Sequence, residues 1–186
     1  MGRPLKVYLA GPEVFLPDAV ALGRAKQALC ARYGTVGLFP LDDEAPAGEG
    51  ADVAIYRSCR AQMREADLGI FNLTPFRGVS ADPGTVFELG FMAGLGKPVW
   101  GYTNVAADLI ERVRAAIPTR ADPGGTVRDG QGMSVEDFGN ADNLMIDGFL
   151  KDAGRSIVRR DVPADGLFRD LGGFELCLKA ARQQLG

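Results

Sequence analysis

Short apolar runs alternate with longer segments of helical character along most of the chain, and this alternation restricts the possible folds more than any other feature. The runs that resemble buried strands are Lys6–Ala10, Val36–Phe39, Leu68–Leu73 and Val99–Tyr102. Strands that are separated by helices pair in parallel, with the helices covering both faces of the sheet. The pattern predicts an α/β fold of the flavodoxin-like (Rossmann-like) type, a doubly wound parallel sheet of about five strands flanked by helices.

The remaining segments divide into helices and loops by their capping residues and glycine content. Two polar, glycine-rich stretches, Leu41–Gly50 and Pro118–Asn140, are predicted to be loops. The predicted helices are Asp18–Tyr33, Val53–Ala66, Asp82–Gly96, Val105–Ala116 and Leu167–Leu185. A chain of 186 residues suits one compact unit, so residues 1–186 are expected to form a single domain.

The sequence contains no histidine, which excludes Ser-His-Asp catalysis, Cys-His catalysis and His-ligated metal sites. Acid–base and nucleophilic chemistry must then come from Asp, Glu, Tyr, Cys or Lys. The net charge is -3 and the Lys and Arg residues are scattered, which argues against nucleic-acid binding. No acidic cluster resembles a metal cage, so we expect no metal.

Other classes of protein are disfavoured by motifs that the chain lacks. The turn after the first strand reads AGPEVF, without the glycine pattern of dinucleotide-binding or P-loop proteins, so we expect no organic cofactor. Three widely spaced cysteines indicate reduced thiols in a cytoplasmic protein. With neither a secretory h-region nor about 18 consecutive apolar residues, neither a signal peptide nor a membrane span is expected.

Ligands of doubly wound sheets bind beyond the carboxyl ends of the strands. Glu88 lies on a helix that starts at such an end, and Phe91, Met92 and Leu95 share its face at helical spacing. A carboxylate beside large apolar side chains has a raised pKa if it is buried. The plain alternative is that Glu88 lies at the edge of this face and reaches water. Its location favours a functional carboxylate.

Other candidate residues also have structural explanations. Asp82 precedes Pro83, as a helix N-cap residue does, and it can also bind a ligand. Tyr8 fits the core, with a hydroxyl that needs a partner if it is buried. Phe15 is either a core residue or a stacking platform for a planar ligand. Arg77 is interpreted as a loop anchor, and Cys59 as a small buried apolar residue.

Several motifs in this order resemble the nucleoside 2-deoxyribosyltransferases. Together they span roughly residues 6 to 146, and the stretch from Asn72 to Pro98 is the most specific part. The matching motifs are Tyr8-Leu-Ala-Gly-Pro, Phe15, Phe39-Pro-Leu-Asp42, Ala66-Asp67 with NLTPFRG, Asp82-x-Gly-Thr-x-Phe-Glu88-x-Gly, Gly96-Lys-Pro and Asn143-Leu-Met145.

The resemblance implies an enzyme of nucleoside salvage that exchanges the base of 2'-deoxyribonucleosides with free purine or pyrimidine bases, without a cofactor. It also implies a homo-oligomer, a dimer or larger, with shared active sites. By the same resemblance Glu88 is the nucleophile that forms a covalent glycosyl intermediate with retention, and Tyr8 orients its carboxylate. The implied substrate-binding residues are Asp82 at the sugar 5'-hydroxyl, Asn143 from a neighbouring subunit, Phe15 and Glu44 near the base, and Gly11, Asp42 and Met145.

The residue at position 59 departs from the family pattern, and rival interpretations are open at this point, among them a site that is vestigial because of Cys59. The family often has Asp or Asn where this chain has Cys59, so the group that protonates the leaving base is open. A related N-glycosidase would hydrolyse deoxynucleosides or their 5'-monophosphates, but such enzymes tend to have Ser at the position of Asp82. The second rival is a non-catalytic nucleotide-sensing domain, which would not need Glu88.

Overall fold

Five parallel strands form the central sheet of the computed structural model, which describes residues 2–42, 48 and 50–185. The sheet order is β2-β1-β3-β4-β7, the 2-1-3-4-5 arrangement of flavodoxin-like proteins. The predicted fold class is therefore confirmed. In chain order the strands are β1 Leu5–Ala10, β2 Thr35–Leu38, β3 Leu68–Asn72, β4 Val99–Thr103, β5 Thr119–Ala121, β6 Val127–Asp129 and β7 Val158–Arg159.

The described part of the chain also contains six α-helices and two short 3-10 helices. The 3-10 helices are Pro12–Phe15 and Ala164–Gly166. The α-helices are α1 Ala19–Arg32, α2 Ala51–Glu65, α3 Pro83–Gly94, α4 Leu109–Ala116, α5 Leu144–Asp152 and α6 Gly172–Leu185. All five predicted helices are confirmed, although α4 and α6 begin four and five residues later than expected. For α4 the cause is a capping box, in which the Glu111 carboxylate accepts from the Asp108 N–H at 2.8 Å.

The predicted loop Pro118–Asn140 is wrong, because it contains an antiparallel hairpin of β5 and β6. Each strand has three residues, too few for an alternating pattern to be visible. The turn between them is held by the Asp122 carboxylate, which accepts from the N–H groups of Gly124 at 2.9 Å and Thr126 at 3.0 Å. Helix α5 and strand β7 lie in a segment where no element was predicted.

Alternate residues of β1 pack into different layers of the core, as the period of a strand requires. Val7 and Leu9 belong to the cluster that faces α1 and α6 and includes Phe174. Tyr8 belongs to the opposite cluster, which includes Met92 of α3. The side chain of Tyr8 is therefore directed towards the helix that carries Glu88. Among the described residues, no helix is long and apolar enough to cross a membrane.

A buried ion pair anchors the loop after β1. Glu13 and Lys26 of α1 are each fully buried, and the Lys26 ammonium donates to the Glu13 carboxylate. Asn72, at the end of β3, donates its amide to the other Glu13 oxygen at 2.9 Å. Burial lowers the pKa of Lys26, and the neighbouring carboxylate stabilises its charged form. The loop that begins at Gly11 is thus tied to both α1 and β3.

Removing one member of this pair is expected to destabilise the protein strongly. Lys26→Met leaves the Glu13 carboxylate buried without its cation, which costs about 3–5 kcal/mol. Urea unfolding followed by circular dichroism measures the loss in the free energy of unfolding.

The control combines Lys26→Met with Glu13→Gln, which removes the charge and keeps an acceptor for Asn72. We expect the double variant to recover more than about 1 kcal/mol of the loss. A single Lys26→Met variant that unfolds at the wild-type urea midpoint would show that the pair does not determine stability.

Candidate active site

A cavity of about 290 Å³ opens at the carboxyl edge of the sheet, where sites of this topology are expected. Four of the predicted site residues, Gly11, Phe15, Asp82 and Glu88, line it. They come from the loop after β1 and from the beginning of α3. The other lining residues are Val14, Pro40, Leu41, Ile55, Cys59, Gly84 and Thr85.

Tyr8 and Glu88 are joined by a hydrogen bond from the phenol to Glu88 Oε1, with 2.6 Å between the oxygens. Tyr8 has no exposed surface. Burial raises the pKa of Tyr8 well above its usual range, and the nearby Glu88 and Cys59 side chains raise it further. The phenol therefore stays protonated and serves as a fixed donor to the carboxylate. The contact between Tyr8 and the Glu88 carboxylate that the resemblance implied is thus present in the structure.

Burial also raises the pKa of Glu88, to about 7. The negative charge of Asp82 acts in the same direction, whereas the hydrogen bond from Tyr8 favours the ionised form and lowers the pKa. Glu88 is consequently divided between its two protonation states near neutral pH. Such a carboxylate can act as a nucleophile or exchange a proton under physiological conditions.

The core-facing side of α3 is formed by Thr85, Leu89 and Met92, which are all buried. Glu88 lies beside this stripe and faces the cavity, so it is only partly exposed and belongs to the edge of the apolar face. The predicted place of Leu95 on that face is wrong. Helix α3 ends at Gly94, and the Leu95 side chain is 44% exposed.

Asp82 is the N-cap residue of α3, as its sequence context predicted. Its Oδ2 accepts from the Thr85 N–H at 2.8 Å and from the Thr85 hydroxyl at 3.0 Å. The residue before it, Ala81, donates its N–H to the buried Asp142 carboxylate at 2.9 Å, which fixes the approach to the cap. Because Asp82 also lines the cavity, capping and ligand binding are compatible at this residue.

Phe15 is a surface residue with an exposed fraction of 56%, so the core interpretation is wrong. Its ring stacks on Phe76, with 5.2 Å between the ring centroids and 9° between the planes. Phe76 in turn makes an edge contact with Phe168 at 6.0 Å. Since Phe15 lines the cavity, it offers an aromatic wall to a planar ligand.

Asp42 lies near the cavity without lining it. Its carboxylate closes the turn after β2 by accepting from the Phe39 N–H at 2.8 Å and from the Gln27 side chain at 2.8 Å. The adjacent Pro40 and Leu41 line the cavity. Glu44 lies outside the described residues, so its role and that of Asp42 in binding stay predictions.

Asn143 and Met145 lie at the N-terminus of α5 and do not line the Glu88 cavity of their own chain. Asn143 caps the helix by accepting from the Met145 N–H at 3.0 Å, and its amide donates to Glu136 at 2.8 Å. Met145 is 73% exposed. The structure thus separates these two residues from the other predicted site residues, and their binding roles stay predictions.

The family resemblance drew attention to position 59, but the contribution of Ile55 on α2 to the cavity was not predicted. Ile55 and Cys59 both line it, and they are four residues apart on that helix. Cys59 is half-buried, and its side chain interacts with the Tyr8 hydroxyl, so it is more than a core residue. The i, i+4 spacing of the two side chains was the available signal. Among the described residues, no cluster of three or more Cys, Asp or Glu side chains is arranged to hold a metal ion.

The chain is similar to known proteins in both sequence and structure. The sequence model described as nucleoside 2-deoxyribosyltransferase matches residues 7–145. An uncharacterised protein of Schizosaccharomyces pombe is 35% identical over 164 residues, which cover 80% of this chain and 78% of the relative. The solved structure of a 2-deoxyribosyltransferase from Leishmania mexicana is 28% identical, with a TM-score of 0.72 over 98% of this chain and 100% of that chain. The chain therefore belongs to the nucleoside 2-deoxyribosyltransferase family.

Proposed function

We propose that this protein exchanges the base of 2'-deoxyribonucleosides through a covalent glycosyl intermediate on Glu88. The observation that carries the proposal is a cavity-lining carboxylate with a raised pKa that is held by a buried phenol. Membership of the family supplies the reaction class, a pentosyl transfer at an N-glycosidic bond. The mechanism uses only side chains and requires neither a metal nor an organic cofactor.

The first step breaks the bond between C1' of the sugar and the base nitrogen. As that bond breaks, its electron pair leaves with the base, which takes up a proton from solvent water, and positive charge develops on the sugar. One Glu88 oxygen then forms an ester bond with C1'. Tyr8 holds the carboxylate in place throughout, because its hydrogen bond orients one oxygen and leaves the other to attack.

The second step reverses the first with a different base. A nitrogen of the incoming purine or pyrimidine attacks C1', loses its proton, and releases Glu88 as a carboxylate. Two inversions at C1' give net retention. Water can attack the same ester, so slow hydrolysis of the donor nucleoside is the expected side reaction.

Sugar and base are expected to occupy opposite parts of the cavity. Asp82 accepts a hydrogen bond from the 5'-hydroxyl, and the backbone of Gly11 borders the sugar. Phe15 stacks on the base, with Asp42 and Glu44 near it. Asn143 and Met145 complete the sugar site from a neighbouring subunit, which makes the active form a homo-oligomer. We place this activity in nucleoside salvage in the cytoplasm.

Glu88→Ala is expected to abolish base exchange. Without the carboxylate no ester forms, and loss of a covalent nucleophile removes several orders of magnitude of rate. The assay incubates 2'-deoxyinosine with adenine or cytosine and measures the new nucleoside by liquid chromatography. Glu65→Gln, at an exposed glutamate of α2, is the matched control and should keep the wild-type rate.

Three outcomes separate the possible activities of the wild-type protein. A new nucleoside supports the transferase, and free base with free deoxyribose supports the N-glycosidase. No turnover at all supports the nucleotide-sensing domain. Base exchange by Glu88→Ala at the wild-type rate would exclude Glu88 as the nucleophile.

The pH dependence follows from the raised pKa of Glu88 at about 7. The nucleophile must be ionised, so kcat/KM for the donor should fall about tenfold per unit of pH below this value. The raised pKa of Glu88 also makes the free energy of unfolding depend on pH. Because the folded protein holds the Glu88 proton more tightly than the unfolded chain does, the free energy of unfolding falls as pH rises from about 4.5 to about 7.

Glu88→Gln removes that dependence. At pH 8 we expect it to be more stable than wild type by about 2 kcal/mol, and at pH 4.5 the difference should be small. Urea unfolding at both pH values tests this. A variant that is less stable than wild type at pH 8 would mean that Glu88 is not a destabilised carboxylate.

Asp82 is expected to select nucleosides over nucleotides. A second negative charge close to it costs on the order of 4 kcal/mol, so a 5'-phosphate is rejected. Asp82→Ser should weaken nucleoside use about tenfold and admit deoxynucleoside monophosphates, while Ser still caps α3. Asp82→Asn, which also keeps the cap and removes the charge, is the control. Unchanged selectivity in both variants would place the 5'-hydroxyl elsewhere.

A further inference from the structure

Arg77 has an unfavourable backbone conformation that calls for an explanation. Its φ is 54°, and among the described residues no other non-glycine residue has a positive φ. The left-handed region costs free energy for a residue with a Cβ, and such conformations persist where the surroundings enforce them, often at functional sites. The next residue is Gly78, for which the same conformation would carry no steric cost. The side chain of Arg77 is therefore the feature to explain.

That side chain lies over two aromatic rings. The guanidinium carbon is 4.6 Å from the centroid of Phe76 and 5.2 Å from that of Phe15. A guanidinium within about 6 Å of a ring centroid is attracted by the electrons of the ring. Arg77 thus spans the two stacked rings and holds them together.

Phe15 needs such support, because more than half of its surface is exposed. It extends from the end of the short 3-10 helix Pro12–Phe15, whose buried residues are Pro12 and Glu13. Phe76 also makes the edge contact with Phe168. Contacts with Arg77 and Phe76 therefore hold the Phe15 ring in place at the cavity.

We propose that Arg77 is a positioning residue that sets the affinity for the nucleobase by fixing Phe15 as the wall on which the base stacks. The inference rests on the proposed function, since it takes a planar base to be the ligand beside Phe15. A ring that is already ordered loses less conformational entropy when a ligand stacks on it. The left-handed backbone is retained because it carries the guanidinium over both rings.

Arg77→Asn tests the inference, because Asn tolerates the left-handed region and lacks the cation. We expect the acceptor-base KM to rise about fivefold, with kcat at saturating base unchanged and the melting temperature unchanged or higher. The dissociation constant of free adenine, measured by isothermal titration calorimetry, should rise by the same factor. Arg77→Lys, which keeps the charge without the planar group, should fall between wild type and Arg77→Asn.

A double-mutant cycle shows whether Arg77 acts through Phe15. Phe15→Ala alone should weaken adenine binding about tenfold or more, and adding Arg77→Asn should weaken it no further. Arg155→Ala is the matched control, because the Arg155 guanidinium lies 4.4 Å from the Trp100 ring centroid, and neither residue lines the cavity. It should leave the adenine dissociation constant unchanged.

The remaining outcomes contradict the inference in distinct ways. If Arg77→Asn lowers the melting temperature and leaves base binding unchanged, Arg77 is structural only. If its effect adds fully to that of Phe15→Ala, Arg77 contacts the ligand without acting through the ring. If the wild-type protein neither binds nor exchanges bases, the proposed function fails and this inference fails with it.

Discussion

The buried charge of Glu13 is the constraint on which the carboxyl edge of the sheet depends. A carboxylate without exposed surface must be paired and hydrogen-bonded, and here Lys26 and Asn72 fulfil both requirements. The hydrogen bonds continue through the side-chain oxygen Oδ1 of Asn72, which accepts from the Thr74 hydroxyl at 2.6 Å. The Thr74 hydroxyl oxygen in turn accepts from the Asn104 N–H at 3.0 Å. The polar connection thereby joins the ends of β1, β3 and β4.

The spacing between the sheet and α3 determines whether Tyr8 can reach Glu88. Tyr8 is paired with Gly69 of the neighbouring strand β3. A Cβ at Gly69 would lie 2.5 Å from the Phe71 ring and 2.9 Å from the Met92 sulfur. The absence of a side chain at this position allows α3 to pack closely on the sheet, and the phenol then meets the carboxylate at hydrogen-bonding distance. Packing and site geometry thus have a common cause.

The parts of the fold that local patterns encode could be predicted from the sequence. Strand β1 and the Asp82–Pro83 helix start were predicted because a short apolar run and a helix cap are both local signals. Strand β7 was not, since it has two residues and exists only through its pairing with β4. The partial burial of Glu88 was anticipated from its helix face. Its raised pKa depends first on the extent of burial in the folded chain, then on Tyr8, which is distant in the chain, and on Asp82, which is placed by the helix cap. No local pattern carries that information.

Gly11 and Glu13 also limit how this site can change over evolutionary time. In many doubly wound proteins the loop after the first strand binds a phosphate through its backbone N–H groups. Here a Cβ at Gly11 would lie 2.2 Å from the Glu13 carboxylate, so an anion lies directly behind the loop. Losing Glu13 alone leaves the buried Lys26 without its counter-charge, and losing Lys26 alone leaves Glu13 unpaired. Evolution of phosphate binding at this loop would require replacing both residues of the pair. Either single substitution gives a protein with an unpaired buried charge, so the change is not accessible by single mutations.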